Sequence, residues 1–154
     1  MAGVNVYIVS PSSDPSGETA RVVLISCVSK KRSDSAKAKD LYTSPLFKGA
    51  YNYAKKLGAD QIFILSAKHG LLEEDDIIEP YDETLNTKTQ SEIKAWSRSV
   101  IEALADRTDT ERDDFVFLAG ERYRRYLVNA VKNSTIPLRG LSIGKQLAFY
   151  KENS

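Results

Sequence analysis

Ile62-Phe-Ile-Leu-Ser-Ala-Lys-His-Gly-Leu-Leu72 contains a short apolar run that ends abruptly in polar residues. A run of this kind is typical of a buried strand, and the loop that follows it carries Lys68 and His69. His69 is the only histidine among the 154 residues. Loops that follow strands carry the binding and catalytic residues of many α/β proteins. The segment therefore predicts a strand that leads directly into a functional site.

Other apolar runs predict further strands, and the run from Arg21 to Ser26 does not alternate polar with apolar residues. Uninterrupted apolar runs are typical of strands covered on both faces, as in a parallel sheet. The predicted strands are Val4 to Val9, Arg21 to Ser26, Gln61 to Leu65 and Phe115 to Leu118. Residues 10–20 are predicted to form a surface loop, and residues 152–154 a flexible tail.

Capping signals predict the helices between these strands. Ser44 and Pro45 open a helix that runs through Leu57, with Gly58 just beyond its end. Thr89 and Glu92 form a capping box for a second helix, which reaches about Ala105. The remaining predictions are a short helical turn over residues 71–76, a helix from about Glu121 to Lys132, and a final helix that starts near Ser142.

Alternation of strands and helices predicts a single α/β domain that spans residues 1–154. Right-handed crossovers between parallel strands place helices on both faces of a sheet. We therefore expect three layers, with a mainly parallel sheet of about four strands in the middle.

The charges are unevenly distributed, although the formal net charge is only +1. Residues 71–83 are acidic, whereas residues 29–39 and 122–151 are strongly basic. If the two basic segments share a face, that face could hold phosphates. The alternative is that both segments are simply solvated surfaces.

Several classes of site are not indicated. With Cys27 as the only cysteine, no intrachain disulfide can form, no zinc site is indicated, and a reducing cytoplasmic compartment is expected. The run from Val4 to Val9 is too short to span a membrane. No Gly-rich phosphate loop, dinucleotide fingerprint or Gly-x-Ser-x-Gly elbow is present, so no metal or cofactor is expected. The oligomeric state stays open.

Polar residues follow three of the predicted strands, at the edge of a parallel sheet where ligands bind. The three strand ends, together with the start of the last helix, are expected to converge on one site. The candidate substrate-binding residues are Cys27, Ser29, Lys30, Lys31, Ser66, Tyr81, Gly120, Tyr123, Gly144 and Lys145.

Lys68, His69 and Asp82 are the candidate catalytic residues, because each can move a proton or stabilise charge. Tyr81 offers a flat ring on which a base could stack. Each of these residues also has a purely structural alternative. His69 could bond the local backbone, Tyr81 could be core, and Asp82 could bond its own turn. Cys27 could be a small buried hydrophobe.

Residues 67–85, which include Pro80-Tyr81-Asp82, resemble the central signature of the YaaA-like superfamily. They resemble still more closely a branch of small single-domain bacterial, archaeal and phage proteins. That branch also shows the patterns found here in residues 40–47 and 119–123. His69 departs from the superfamily pattern, which has a tyrosine at this position. The resemblance implies DNA binding, protection from oxidative damage, and activity on nucleobases or modified bases.

Three functions are compatible with these observations. The first is an enzyme that cleaves or exchanges an N-glycosidic bond, with Asp82 stabilising charge on the sugar and Lys68 or His69 assisting the departing base. The second is a non-catalytic nucleic-acid-binding module, and the third is a binder or hydrolase of a free nucleoside or nucleotide. For a polymeric partner, DNA is expected in preference to RNA. No membrane partner is expected.

Overall fold

A computed structural model describes residues 19–26 and 31–154 of the chain. The predicted strand from Val4 to Val9, nearly all of the predicted loop over residues 10–20, and the candidate residues Cys27, Ser29 and Lys30 lie outside the described residues.

A five-stranded, mostly parallel sheet forms the centre of the fold. Its middle strand is β1 (Arg21–Ser26), and two strands flank it in parallel, β3 (Gln61–Ser66) and β6 (Asp114–Leu118). The outer strands are β4 (Gly70–Glu73), antiparallel to β3, and β7 (Asn133–Thr135), parallel to β6. The spatial order is β4-β3-β1-β6-β7. A separate two-stranded sheet pairs β2 (Ala36–Lys37) with β5 (Ile77–Ile78).

Five helices accompany the strands in the part of the chain that the structure describes. They are α1 (Ala38–Leu41), α2 (Pro45–Lys56), α3 (Gln90–Arg107), α4 (Glu121–Val128) and α5 (Ile143–Glu152), and a 3-10 turn covers Leu85–Thr87. Helix α2 packs against α5, and α3 packs against α4 and β4. Within residues 19–26 and 31–154, none of the helices is both long enough and apolar enough to cross a bilayer.

The predicted caps are present in the structure. The Phe47 backbone N–H donates to Ser44 Oγ at 3.1 Å at the start of α2. Thr89 and Glu92 bond each other's backbone N–H groups at the start of α3, with distances of 2.8 and 3.1 Å. Each bond satisfies a donor that the first turn of a helix cannot satisfy internally. The starts of both helices were therefore predicted correctly from sequence.

The prediction of a mixed α/β fold with a mainly parallel sheet is confirmed, and among the described residues the sheet has five strands, of which β4 is antiparallel to its neighbour. The helical turn predicted over residues 71–76 was wrong. Gly70 has a φ of +76°, in the left-handed region that glycine adopts without strain. This conformation lets the chain reverse direction, so that β4 pairs with β3. The end predicted for α4 was also wrong, because that helix stops at Val128 and is followed by β7.

The core is centred on β1, whose four apolar residues are at most 1% exposed. They are Val22, Val23, Leu24 and Ile25. A buried carboxylate secures the start of this strand: Asp113 is fully buried and accepts hydrogen bonds from the backbone N–H groups of Ala20 and Asp109, at 3.1 and 2.9 Å. The absence of alternation in β1 therefore reflects burial on both faces.

Gly49 lets α2 approach α5 closely, and a substitution there tests the contact. A Cβ at Gly49 would lie 2.8 Å from Tyr150 Cβ and 2.9 Å from Tyr150 Cγ, whereas a Cβ at Gly144 would meet nothing within 4 Å. Alanine normally stabilises a helix interior by about 1 kcal/mol relative to glycine. We expect Gly49→Ala to lower the free energy of unfolding by about 1–3 kcal/mol through overpacking. The control Gly144→Ala should leave it unchanged or raise it. Urea denaturation measures both, and equal stabilisation by the two substitutions would contradict the close contact.

Candidate functional site

The sheet has a topological switch point between β1 and β6. From β1 the chain crosses to β3 on one side, and after β4 it returns through α3 to β6 on the other side of β1. In open α/β sheets, ligands bind in the crevice outside the carboxyl ends of the strands at such a point. The topology therefore singles out one edge of the sheet before any side chain is considered.

A cleft of about 910 Å³ opens at this edge. Ser26, at the end of β1, joins two of its walls, because the Gly120 backbone N–H donates to Ser26 Oγ at 3.1 Å. The lining comes from the ends of β1 and β6, the starts of α2 and α4, the segment around the 3-10 turn, and α5. Its polar and charged residues include Ser26, Lys31, Ser44, Asp82, Glu83, Thr84, Asn86, Glu121, Arg122, Arg124 and Gln146.

Arg124 is a half-buried cation in the cleft wall. Its guanidinium donates to the Ala119 carbonyl oxygen at 2.9 Å. Burial lowers the pKa of Arg124, and the nearby charge of Arg139 lowers it further, while Glu121 acts in the opposite direction. Among the described residues, no carboxylate lies within salt-bridge distance of Arg124. Arg124 therefore places a positive charge in a cleft wall that also carries the carboxylates of Asp82, Glu83 and Glu121, and an anion is favoured close to this guanidinium.

Glu121 does not neutralise Arg124, because it is paired with Arg125. Arg125 makes two hydrogen bonds of 2.6 Å to the Glu121 carboxylate, one turn along α4. The hydrogen bonds from Arg125 hold the pKa of Glu121 below its usual range. Arg125 is thus occupied, and Arg124 and Arg122 remain as the cations that α4 contributes to the cleft lining.

The basic segment of residues 29–39 contributes little to the cleft within the part of the chain that the structure describes. Lys37 and Lys39 lie 3.6 and 3.4 Å from the same carboxylate, that of Asp75, and Arg32 lies 3.4 Å from Asp34. Lys31 alone of its described cations lines the cleft. Among the described residues, Lys31 therefore joins Arg122 and Arg124 in the cleft lining, and Asp75 of the acidic segment offsets Lys37 and Lys39.

Ser66 and Tyr81 belong to a chain of buried hydroxyls. Ser66 Oγ donates to Tyr81 Oη at 2.7 Å, and Tyr81 Oη bonds Tyr42 Oη at 2.6 Å. The His69 backbone N–H donates to Ser66 Oγ at 3.0 Å, and Trp96 Nε1 donates to the Ser66 carbonyl oxygen at 2.8 Å. This chain ties the turn after β3 to the segment that carries Asp82.

Tyr81 does not offer an open ring for stacking. It is 7% exposed, the Lys31 ammonium lies 4.5 Å from its ring centre, and the His69 ring meets it edge-on at 5.5 Å. The contact between an ammonium and a ring face is attractive. In this structure, Tyr81 helps to hold Lys31 at the cleft.

The cleft gathers some of the predicted site residues and leaves others outside its lining. Lys31, Asp82, Gly120 and Tyr123 line it. Tyr123 is buried, and its hydroxyl accepts from the Leu85 backbone N–H at 3.4 Å. The predicted residues that do not line the cleft are Ser66, Tyr81, the exposed Lys68 and His69 on the turn between β3 and β4, and the exposed Gly144 and Lys145 at the start of α5.

Sequence reasoning missed several residues of the cleft wall. Arg122 and Gln146 lie in the strand-end and helix-start segments that were expected to converge, but neither residue was singled out. Arg124 was noticed only as part of a basic segment, and Asn86 and Tyr150 gave no signal. Within the described residues, no group of three or more His, Cys, Asp or Glu side chains could hold a metal ion.

The sequence matches the family of unknown function DUF6884 over residues 22–152. It is also 33% identical over 118 residues to the "Uncharacterized protein YfjM" of Bacillus subtilis (strain 168), an alignment that covers 72% of this chain and 76% of that protein. These matches overturn the resemblance to the YaaA-like superfamily, which was wrong. The short signature in residues 67–85 was too limited to assign a family, and what it implied about DNA binding has no support from the matches.

The hydroxyl chain gives a prediction about stability. Tyr81→Phe removes the central hydroxyl and leaves the buried hydroxyls of Ser66 and Tyr42 each without one hydrogen bond. We expect the free energy of unfolding to fall by about 1–3 kcal/mol. Tyr53→Phe is the matched control, because Tyr53 is half-buried and lies outside the chain of hydroxyls; its effect should be clearly smaller. Urea unfolding compares the two variants, and equal losses would show that the chain adds nothing.

Proposed function

Because the chain belongs to the family of unknown function DUF6884, we propose its function from its own cleft: the protein binds one nucleotide unit and cleaves or exchanges its N-glycosidic bond. The phosphate lies toward Arg124 and Lys31, the base lies against the apolar wall, and Asp82 faces the sugar. No cofactor takes part in this proposal.

Arg124 is the residue on which the proposal mainly rests. It is half-buried, and it lines the cleft at the topological switch point. Among the described residues, Arg124 lacks a carboxylate partner, and its pKa is lowered by burial and by Arg139. An anion that binds beside this guanidinium stabilises its charged form. Guanidinium groups bind phosphate well, because their planar N–H groups match its oxygens.

The size and the lining of the cleft fit a small molecule with a planar part. Pockets for such ligands usually measure roughly 300–1,000 Å³ and are mostly apolar, with a few polar groups that fix orientation. The volume here is about 910 Å³. Its apolar lining residues include Pro45, Leu46, Ile136, Leu138, Leu141, Ile143 and Leu147. In the proposal, the nucleobase lies against the part of this wall formed by Ile136, Leu138 and Leu141.

The distribution of cations favours a single nucleotide over a long polymer. Polymer binding needs many cations along an extended path. Lys37 and Lys39 are offset by Asp75, and Arg125 by Glu121. In the proposal, the nucleotide is either a free molecule or one accessible nucleotide within DNA. A DNA strand would then bind mainly through that one nucleotide.

Asp82 is suited to the chemical step, because it is a carboxylate that lines the same cleft. The C1′–N bond breaks with its electron pair moving to the base, and the carboxylate stabilises the positive charge left on the sugar. Water then adds its hydroxide to C1′, and its proton ends on the released base. Lys68 and His69 do not line the cleft, so the proposal assigns them no step.

We also propose that the fold has three layers and that the protein acts in the cytoplasm. A three-layer arrangement follows if both crossovers are right-handed, with α2 and α5 on one face and α3 and α4 on the other. The packing of α2 on α5 and of α3 on α4 supports it. The single cysteine supports a cytoplasmic setting.

Arg124→Met tests the phosphate contact. We expect affinity for nucleoside monophosphates to fall about 10- to 100-fold, because a hydrogen bond to a charged group contributes about 1.5–3 kcal/mol. Lys132→Met is the control, because Lys132 is an exposed cation outside the cleft lining, and this substitution should change affinity by less than about twofold. Isothermal titration calorimetry measures both. An equal effect of the two variants would remove Arg124 from the proposal.

Asp82→Asn tests the chemical step. Release of free base from nucleotides and from short DNA, followed by chromatography, should fall by at least about 100-fold, since the amide cannot stabilise the sugar cation as a carboxylate does. The control Glu79→Gln changes an exposed carboxylate outside the cleft lining and should retain the parent rate. If the parent releases no base and its DNA affinity falls steeply with salt, the protein is a binding module without this activity.

A further inference from the structure

The side of the cleft formed by α2 and α5 differs from the side that carries the cations. It is lined by Leu46 from α2 and by Ile143, Leu147 and Tyr150 from α5. The volume of about 910 Å³ lies near the upper end of the range for pockets that enclose small ligands. An ordinary nucleotide whose phosphate contacts Arg124 would leave part of this apolar side unfilled.

Ile143 marks the rim of this apolar side. It is 64% exposed, and with Ile77 it is one of two strongly exposed large hydrophobic residues in the part of the chain that the structure describes. A single exposed isoleucine is ordinary on a protein surface. Here, however, it continues the lining of a cleft that is already apolar, and continuous apolar surface of this kind marks ligand-binding sites.

Tyr150 brings a hydrogen-bonding group into this apolar region. The residue is 6% exposed, yet its hydroxyl has no hydrogen-bond partner among the described residues. Burial is the main cause that raises the pKa of Tyr150, so the phenol keeps its proton at neutral pH. The hydroxyl oxygen itself is not fully buried, although the ring is buried, so the hydroxyl reaches the accessible surface of the cleft. A hydroxyl that lacks a partner beside a cleft is available to a ligand.

The ring of Tyr150 is held firmly in place. It packs against Gly49, where a Cβ would approach Tyr150 to 2.8 Å. The rings of Tyr53 and Phe149 each lie 5.9 Å from it, measured between ring centres. A fixed ring loses little entropy when its hydroxyl binds a partner, so it is well placed to discriminate between ligands.

We propose that the α2–α5 side of the cleft is a subsite for an aromatic group that carries a hydrogen-bond acceptor, and that Tyr150 selects this group. Leu46, Ile143 and Leu147 enclose the ring, and the Tyr150 hydroxyl donates to its acceptor atom. The subsite goes beyond the proposed reaction, because it concerns a part of the ligand remote from the phosphate and from the bond that breaks.

Two small fluorinated probes test the subsite without a nucleotide. 4-Fluorophenol carries an acceptor oxygen, whereas 4-fluorotoluene has the same ring without one. Binding of each to the full chain is followed by ¹⁹F NMR titration. We expect 4-fluorophenol to bind the parent more tightly than 4-fluorotoluene. Tyr150→Phe should weaken 4-fluorophenol about 3- to 10-fold, in keeping with the loss of one neutral hydrogen bond, and leave 4-fluorotoluene unchanged.

Two further variants make the result decisive. Tyr53→Phe removes a hydroxyl from a neighbouring ring outside the cleft lining and should leave both probes unaffected. Leu147→Asp introduces a charge into the subsite and should weaken both probes, with thermal unfolding used to confirm that the variant folds. Failure of both probes to bind the parent, or equal affinities of parent and Tyr150→Phe for 4-fluorophenol, would overturn the subsite. Nucleotide affinity and its dependence on Arg124 would still stand in that case, so the two proposals fail separately.

Discussion

The pairing of β1 on both of its edges is the constraint on which the rest of the structure depends. Ile25 pairs with Ile64 of β3 on one side and with Leu118 of β6 on the other. Because the strand is buried, all of its polar backbone groups need partners, and two parallel neighbours provide them. The same pairing brings the ends of β1, β3 and β6 to one edge. The cleft follows from this, since Ser26 at the end of β1 binds the Gly120 backbone N–H at the start of α4.

Charge pairing decides which basic residues can act on a ligand. A count along the sequence suggests two basic segments, but Asp34 and Asp75 pair with Arg32, Lys37 and Lys39 of the first one, whereas in the second segment the salt bridges among the described residues involve only Arg125. Exposed pairs of this kind add little to stability. Their larger effect here is local: they offset the first basic segment, whereas Arg124 is half-buried in the cleft wall and has no carboxylate within salt-bridge distance among the described residues. Local charge therefore has more meaning for this protein than its net charge.

The sequence was informative about local structure and less so about long-range pairing. The strand from Arg21 to Ser26 and the caps at Ser44 and Thr89 were predictable, because burial patterns and capping depend on neighbouring residues. β4 was not predictable, because its pairing depends on the reversal of the chain at Gly70 and on the presence of β3 beside it. For the site, the strand ends and the start of the last helix predicted the edge of the sheet at which the cleft lies. They could not show that Lys68 and His69 sit on the hairpin at the rim of the sheet, or which side chains of α5 line the cleft.

The switch point between β1 and β6 has a consequence for the order of folding. β3 and β4 are joined by a tight turn, so their contacts close a short loop and can form quickly. β1 and β6 are separated by most of the described chain, and their pairing closes the longest loop in the sheet. The cleft therefore comes into existence only when the slowest contact has formed. A ligand that bridges its walls would hold together the least local part of the molecule, and its main kinetic effect would be to slow unfolding.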